Sequence, residues 1–134
     1  MNYLAHFHLA WPDVQLLLGG LEGDFHRGPL RGDLPVGLEA GIALHRAIDA
    51  FTDSHPEVAA LRSQFPAPLR RFAGILIDLS FDHCLSQHWS RYSELPLSCF
   101  NRQVTQILGD NRALLVRDTE EIETSACAFL ERTP

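Results

Sequence analysis

The sequence predicts an all-α protein, one helical bundle spanning residues 1–134 with no significant strand. Three observations carry that expectation. Apolar residues recur three and four apart in most segments, strict two-residue alternation is absent, and proline and glycine cluster where they cut the chain into helix-length pieces. Asn2 to Ala10 fits a short helix, with Leu4, Phe7 and His8 on related faces. Pro12-Asp13 opens a second, Val14 to about Leu21, whose end Gly19, Gly20 and Gly23 loosen. Arg27 to Pro35 is a glycine- and proline-rich loop. Leu38 to about Thr52 is the third helix, and Ser54 is placed to cap a short fourth one with Pro56 in its first turn. Beyond Pro66 and Pro68 a long helix is expected from Leu69 to Tyr92. It is apolar over most of its circumference and is expected to run through the core. Pro96 starts the next helix, with Phe100, Val104, Ile107 and Leu108 on one face. Gly109-Asp110-Asn111 reads as a turn, and a last helix follows from about Ala113 to Glu131.

A chain of 134 residues is most simply one domain, long enough to bury a core. No run approaches the roughly 18 apolar residues of a membrane span, so no membrane partner is expected. The start, Met1-Asn2-Tyr3-Leu4, lacks the basic region of a secretory signal. Cys84, Cys99 and Cys127 are odd in number and widely spaced, which fits a reduced, cytoplasmic setting. The net charge of −6 argues against a general nucleic-acid binder. All 11 basic side chains are arginine. Compositional bias explains that most simply, although arginine also grips phosphate and carboxylate bidentately.

The most informative stretch is His45 to Pro56. His45, Asp49 and Asp53 are spaced i, i+4, i+8 and line up along one side of a helix. A stripe of imidazole and carboxylate among apolar residues is costly to bury unless something positive meets it, most simply a divalent cation. The second stretch is Ile75 to Leu85, where Asp78 and Asp82 are i, i+4 and His83 follows directly. An unpaired carboxylate in such a helix would cost several kcal/mol or lose its charge. A buried salt bridge to Arg46 or Arg71 is the plain explanation, and a metal ion is the functional one. Oxygen ligands with imidazole suit Mn²⁺, Mg²⁺ or Fe²⁺ better than a thiolate-type zinc site. Asp24 follows the glycine-loosened end of the second helix, a place for a turn aspartate or for a carboxylate presented to a site. Arg27 beside Gly28 is placed to approach a phosphate. His6 and His8 lie near the start, and each by itself reads as a packed core histidine.

Four pieces in order resemble one family: Asn2 to Ala10; Leu18 to Phe25 with Arg27-Gly28; Gly41-Ile42 with His45 to Pro56; and Arg71-Phe72 through Asp82-His83 to His88-Trp89 and Tyr92. They resemble acyl carrier protein phosphodiesterase, also called acyl carrier protein hydrolase, over about residues 1–108. The resemblance implies an all-helical, HD-like fold, a non-standard relative of the HD metal-dependent phosphohydrolases. It implies hydrolysis of 4′-phosphopantetheine from holo-acyl carrier protein, a Mn²⁺-dependent reaction with the carrier as partner. Asp24 matches the first acidic motif, His45, Asp49 and Asp53 the second, and Asp78, Asp82 and His83 the third. On this basis His45, Asp78, Asp82 and His83 are the expected metal ligands. Asp24, Asp49, Asp53 and His55 are the expected catalytic groups, with Arg27 and Arg46 on the substrate phosphate. His6 is a second candidate, beside His55, for the proton on the leaving oxygen. Two alternatives stay open: an HD-type phosphohydrolase of a nucleotide or small phosphodiester, and a domain that binds the carrier or dimerises without turnover. Relative to the family, Ala113–Pro134 reads as a C-terminal end joined early. A shortened domain leaves apolar surface that a second copy could cover, which makes a homodimer one hypothesis.

Overall fold

Asp13 shows how this chain starts a helix. Its carboxylate accepts from the Leu16 amide at 3.0 Å, one of the amide groups a helix start leaves without an internal partner. The computed structural model describes residues 2–115. Six α-helices fill that span: α1 (Tyr3–Ala10), α2 (Val14–Glu22), α3 (Val36–Ser54), α4 (Pro56–Ser63), α5 (Ala73–Gln87) and α6 (Leu97–Asp110). There is no strand among the described residues, and no helix among them is long and apolar enough to cross a membrane.

Boundaries differ from expectation in three places. His55, not Ser54, caps α4: its Nδ1 accepts from the Glu57 amide at 3.2 Å. Pro56 causes this, because the residue before a proline is pushed out of the helical region, and His55 is extended at φ −70°, ψ 133°. The long helix expected over Leu69–Tyr92 is broken at both ends. Ala67–Phe72 and Trp89–Arg91 are 3₁₀ turns flanking α5. The Trp89 indole donates to the Leu95 carbonyl at 2.7 Å, which turns the chain toward α6. Gly109 and Asp110 belong to α6 rather than to a turn. The helix expected over Ala113–Glu131 lies outside the described residues, apart from a 3₁₀ turn at Arg112–Leu114.

The core is built on α1, α2, α3 and α6. Leu4 and Phe7 pack with Leu17, Leu18 and Leu21, and with Leu38, Ile42, Phe100, Val104 and Leu108, all buried. Trp89 tilts against Phe100 at 4.7 Å between ring centroids, and Trp11 meets Phe100 edge-on at 5.3 Å. α5 does not run through this core. It buries only Ala73, Ile77, Asp82 and Ser86, and leaves Ile75 and Leu79 exposed. A run of apolar residues is thus compatible with a half-exposed helix, because apolar atoms also cover much of a folded surface.

The closest packing joins α2 to α3. A Cβ built on Gly19 would lie 2.4 Å from Gly41 Cα, and one on Gly23 would lie 2.4 Å from His45 Cγ. One on Gly37 would lie 2.7 Å from Gln15 Cβ. Gln15, Gly19 and Gly23 therefore face Gly37, Gly41 and His45 in the same order, four residues apart on each helix. The two helices run parallel, and the loop of residues 23–35 carries the chain back. Only glycine allows backbones this close.

Gly41→Ala is expected to lower stability by about 1–3 kcal/mol through overpacking against backbone that cannot yield. Gly20→Ala is the control: its Cβ meets only Phe7 Cδ1, at 3.9 Å, and a helical alanine should be neutral or stabilising. Urea unfolding of the two variants measures the difference.

Candidate metal centre

Four side chains from three segments converge where α2 ends against α3. α1 supplies His6, the turn after α2 supplies Asp24, and α3 supplies His45 and Asp49. His45 Nδ1 lies 2.9 Å from the Gly20 carbonyl, an atom that can only accept. Nδ1 therefore carries the hydrogen, and Nε2 is turned toward two carboxylates: Asp24 Oδ1 and Asp49 Oδ2, each at 3.2 Å. Asp49 Oδ1 lies 3.1 Å from His6 Nε2. The two imidazoles stack at 3.8 Å between centroids, 8° from parallel. One carboxylate thus bridges two parallel rings. Both histidines are buried, whereas Asp24 and Asp49 are partly open to solvent.

Neutral His45 would aim a nitrogen lone pair at two anions. That arrangement requires a positive charge, either a proton on Nε2 or a metal ion. Without metal, burial by itself would lower the His45 pKa, but the hydrogen bonds and charges of Asp24 and Asp49 overcome it and push it up to about 9. Burial would raise the Asp49 pKa, yet hydrogen bonds from His45 and His6 hold it far below the usual carboxylate range. The same geometry suits a metal. One donor atom each from His6, His45 and Asp49 lie within 4.8 Å of one another. A carbonyl that fixes the far nitrogen of a ligating histidine is the usual support for such a ligand. Two imidazoles with carboxylate oxygen suit Mn²⁺ or Fe²⁺ better than Mg²⁺, which favours oxygen.

The structure brings together Asp24, His45 and Asp49 of the residues singled out from the sequence, and with them His6, the second candidate for the proton on the leaving oxygen. Asp53 points away and pairs with Arg62 Nη2 at 3.1 Å on the surface. His55 spends Nδ1 on the α4 cap. Asp82 is buried and accepts from the Leu4 and Ala5 amides at 3.0 and 3.2 Å, so it caps α1 from another helix. Burial pushes its pKa up to about 6 despite those two bonds. Asp78 is half-buried on α5 and His83 faces solvent. Arg46 donates to the His26 carbonyl at 3.3 Å and braces the Asp24 turn, while Arg27 is exposed beside it.

With that geometry, the chain can be compared with known proteins. The sequence model of one family, described as acyl carrier protein phosphodiesterase, matches residues 1–128. The chain belongs to the acyl carrier protein phosphodiesterase family. Relatives bearing that name in Klebsiella pneumoniae subsp. pneumoniae and Escherichia coli O139:H28 are each 45% identical over 116 residues. Those matches cover 83% of this chain and 60% of each relative, so the chain spans about three-fifths of the length of the relatives it matches. No solved structure matches.

Two residues of this family member gained a place that the sequence only half disclosed. His6, which a lone reading puts in the core, stands at the centre of the cluster. Tyr3 hydrogen-bonds Asp24, and burial together with the Asp24 charge raises its pKa to about 12. Both lie on one face of α1, three residues apart.

In metal-free protein the His45 contribution to stability should be fully present below pH 6.5 and fade as pH rises through about 9. Thermal unfolding in chelator across that range measures it, and saturating Mn²⁺ should flatten the profile. Asp82→Asn should lower stability by about 1–3 kcal/mol, since buried amides lose part of their acceptor, while its Mn²⁺ stoichiometry matches the parent's. After loading with Mn²⁺ and dialysis the parent is expected to retain the ion and Asp49→Asn to lose it, as read by elemental analysis.

Proposed function

We propose that this protein is a metal-dependent phosphodiesterase that releases 4′-phosphopantetheine from holo-acyl carrier protein, leaving the apo-carrier. The observation that carries the reading is His45 Nε2, turned toward Asp24 and Asp49 by its bond to the Gly20 carbonyl. Membership of the family supplies the reaction to which such a cluster would be put. His6, His45 and Asp49 would hold the ion, Mn²⁺ or Fe²⁺ by donor chemistry. When bound, it would polarise a phosphate oxygen and lower the pKa of a water.

The chain's own residues do the rest. Asp24 is the more open carboxylate of the pair. It faces the ligating histidine and is placed to orient the attacking water and take its proton. The Tyr3 hydroxyl keeps its proton up to about pH 12 and donates to Asp24, fixing that carboxylate. Attack at phosphorus breaks the bond to the carrier's serine oxygen, which must be protonated from the opposite side. His55, at the end of α3 and outside the cluster, is the candidate for that proton through Nε2, its Nδ1 being committed to the Glu57 amide. Arg27, exposed beside Asp24, meets the phosphate, and Arg46 holds the turn that carries both. The absence of lysine leaves guanidinium as the phosphate-binding group.

Incubation with holo-acyl carrier protein and Mn²⁺ should produce apo-carrier, seen by mass spectrometry as loss of the arm. Asp49→Asn and His45→Ala should each reduce turnover by at least about a hundredfold, the scale of losing a positioned acid–base or metal-ligating group. Chelator should stop the parent enzyme. Turnover of small phosphodiesters with an untouched holo-carrier would assign the site to another phosphohydrolase.

A further inference from the structure

The surface formed by α4, the 3₁₀ turn after it and the start of α5 is unlike the rest of the chain. α4 opens on the exposed Glu57, but from Val58 to Ile77 the sequence holds Arg62, Arg70 and Arg71 and no acidic residue, in a chain of net charge −6. Within that span only Val58, Ala73 and Ile77 are buried. Leu69, Phe72 and Ile75 lie among the arginines, exposed by 44, 42 and 64%. The guanidinium groups are tethered. Arg70 Nε donates to the Phe65 carbonyl at 3.1 Å, and the Arg71 guanidinium lies 4.6 Å over the Phe72 ring. Arg62 pairs with Asp53 at 3.1 Å.

We propose that this face docks the protein partner, one that presents acidic side chains around an apolar spot. The inference rests on the carrier reading given above and adds where the carrier sits. Three arguments support it. The first is charge complementarity: tethered arginines beside exposed apolar side chains match an acidic amphipathic surface and mismatch an apolar or basic one. The second is continuity. Asp53, which holds Arg62, lies one turn along α3 from Asp49, a rise of about 6 Å. The bond to be cut joins the carrier's own serine to phosphorus, so the carrier surface itself must lie against the metal centre, and a face that begins one helical turn away allows that. The third concerns a second copy of this chain. A two-fold contact places the same patch against itself, which would bring two arginine-bearing surfaces together with no acidic residue from Val58 to Ile77 to pair them.

The test measures binding of the apo-carrier to the full chain by calorimetry, at about 50 and about 300 mM salt, where screening differs strongly. Parent, Arg70→Glu/Arg71→Glu and Arg102→Glu are compared, the last on α6 with its guanidinium on Cys99. Melting temperature checks that each is folded. The double variant should bind about tenfold or more weakly, and Arg102→Glu within about twofold of the parent. Salt should weaken the parent and leave the double variant's residual binding little changed. Equal losses in both variants, or none in either, would overturn the inference. A concentration-dependent dimer that the double variant dissolves, seen by light scattering, would give the face to a second copy and also overturn it. Hydrolysis separates this failure from the other. A parent that binds carrier but releases no 4′-phosphopantetheine defeats the reaction and leaves the docking face. A double variant with unchanged KM for holo-carrier in an active parent background defeats the docking face and leaves the reaction.

Discussion

The site exists because two helices touch backbone to backbone. Helices packed through ordinary side chains stand about 8–10 Å apart. Gly19 against Gly41 removes the side chains at the crossing, and Gly23 clears space for the His45 ring. That approach brings His45 Nδ1 to the Gly20 carbonyl and, through it, decides which nitrogen faces Asp24 and Asp49. Each helical glycine weakens its helix by roughly 0.5–1 kcal/mol relative to alanine. Close dispersion contact and a buried hydrogen bond offset that cost. The ring's tautomer, its rotation and its neighbours all follow from the seam.

The cluster is arranged as a place for positive charge. Two carboxylates and two imidazoles around one small volume can be satisfied by a proton or by a metal, and by little else. Asp49 is central because each of its oxygens meets a different ring. The parallel stacking of His6 on His45 follows from sharing that carboxylate. Two charged imidazolium rings at 3.8 Å would repel. A metal linking both rings would satisfy the cluster without that repulsion.

The all-helical fold was legible from periodicity, and so were the starts of α2 and α6 at Asp13 and Pro96. The site was legible in part. His45 and Asp49 are adjacent on one face because four residues advance a helix by about 40° beyond a full turn. Eight residues advance it by about 80°, so Asp53 rotates off the face and finds Arg62 instead. That drift is why an i, i+4, i+8 stripe overstates its own reach. Asp82 looked like a ligand for a different reason. A buried carboxylate in an apolar segment needs partners, and sequence cannot show that two amides from the start of α1 are the partners. His6 was hidden for the converse reason, since nothing local marks a lone histidine as convergent with a helix 40 residues away.

The Asp82 clamp also bears on the order in which the centre comes together. α1 is 8 residues long, too short to persist alone in water. Its first turn is held by a carboxylate 77 and 78 positions further along the chain. The contact between α2 and α3 spans only about 20 residues and closes a far smaller loop. Half of the centre, His45 with Gly20, Asp24 and Asp49, can therefore assemble while α1 is still unattached. His6 and Tyr3 join when α1 docks, on α2 through Leu4 and Phe7 and on α5 through Asp82. A local opening that lifts α1 from Asp82 and from its seat on α2 would withdraw one ring and the Asp24 partner together, leaving the α2–α3 pair intact. The helix with the longest-range clamp is thus the one whose release would take half of the centre with it while α2 and α3 stay paired.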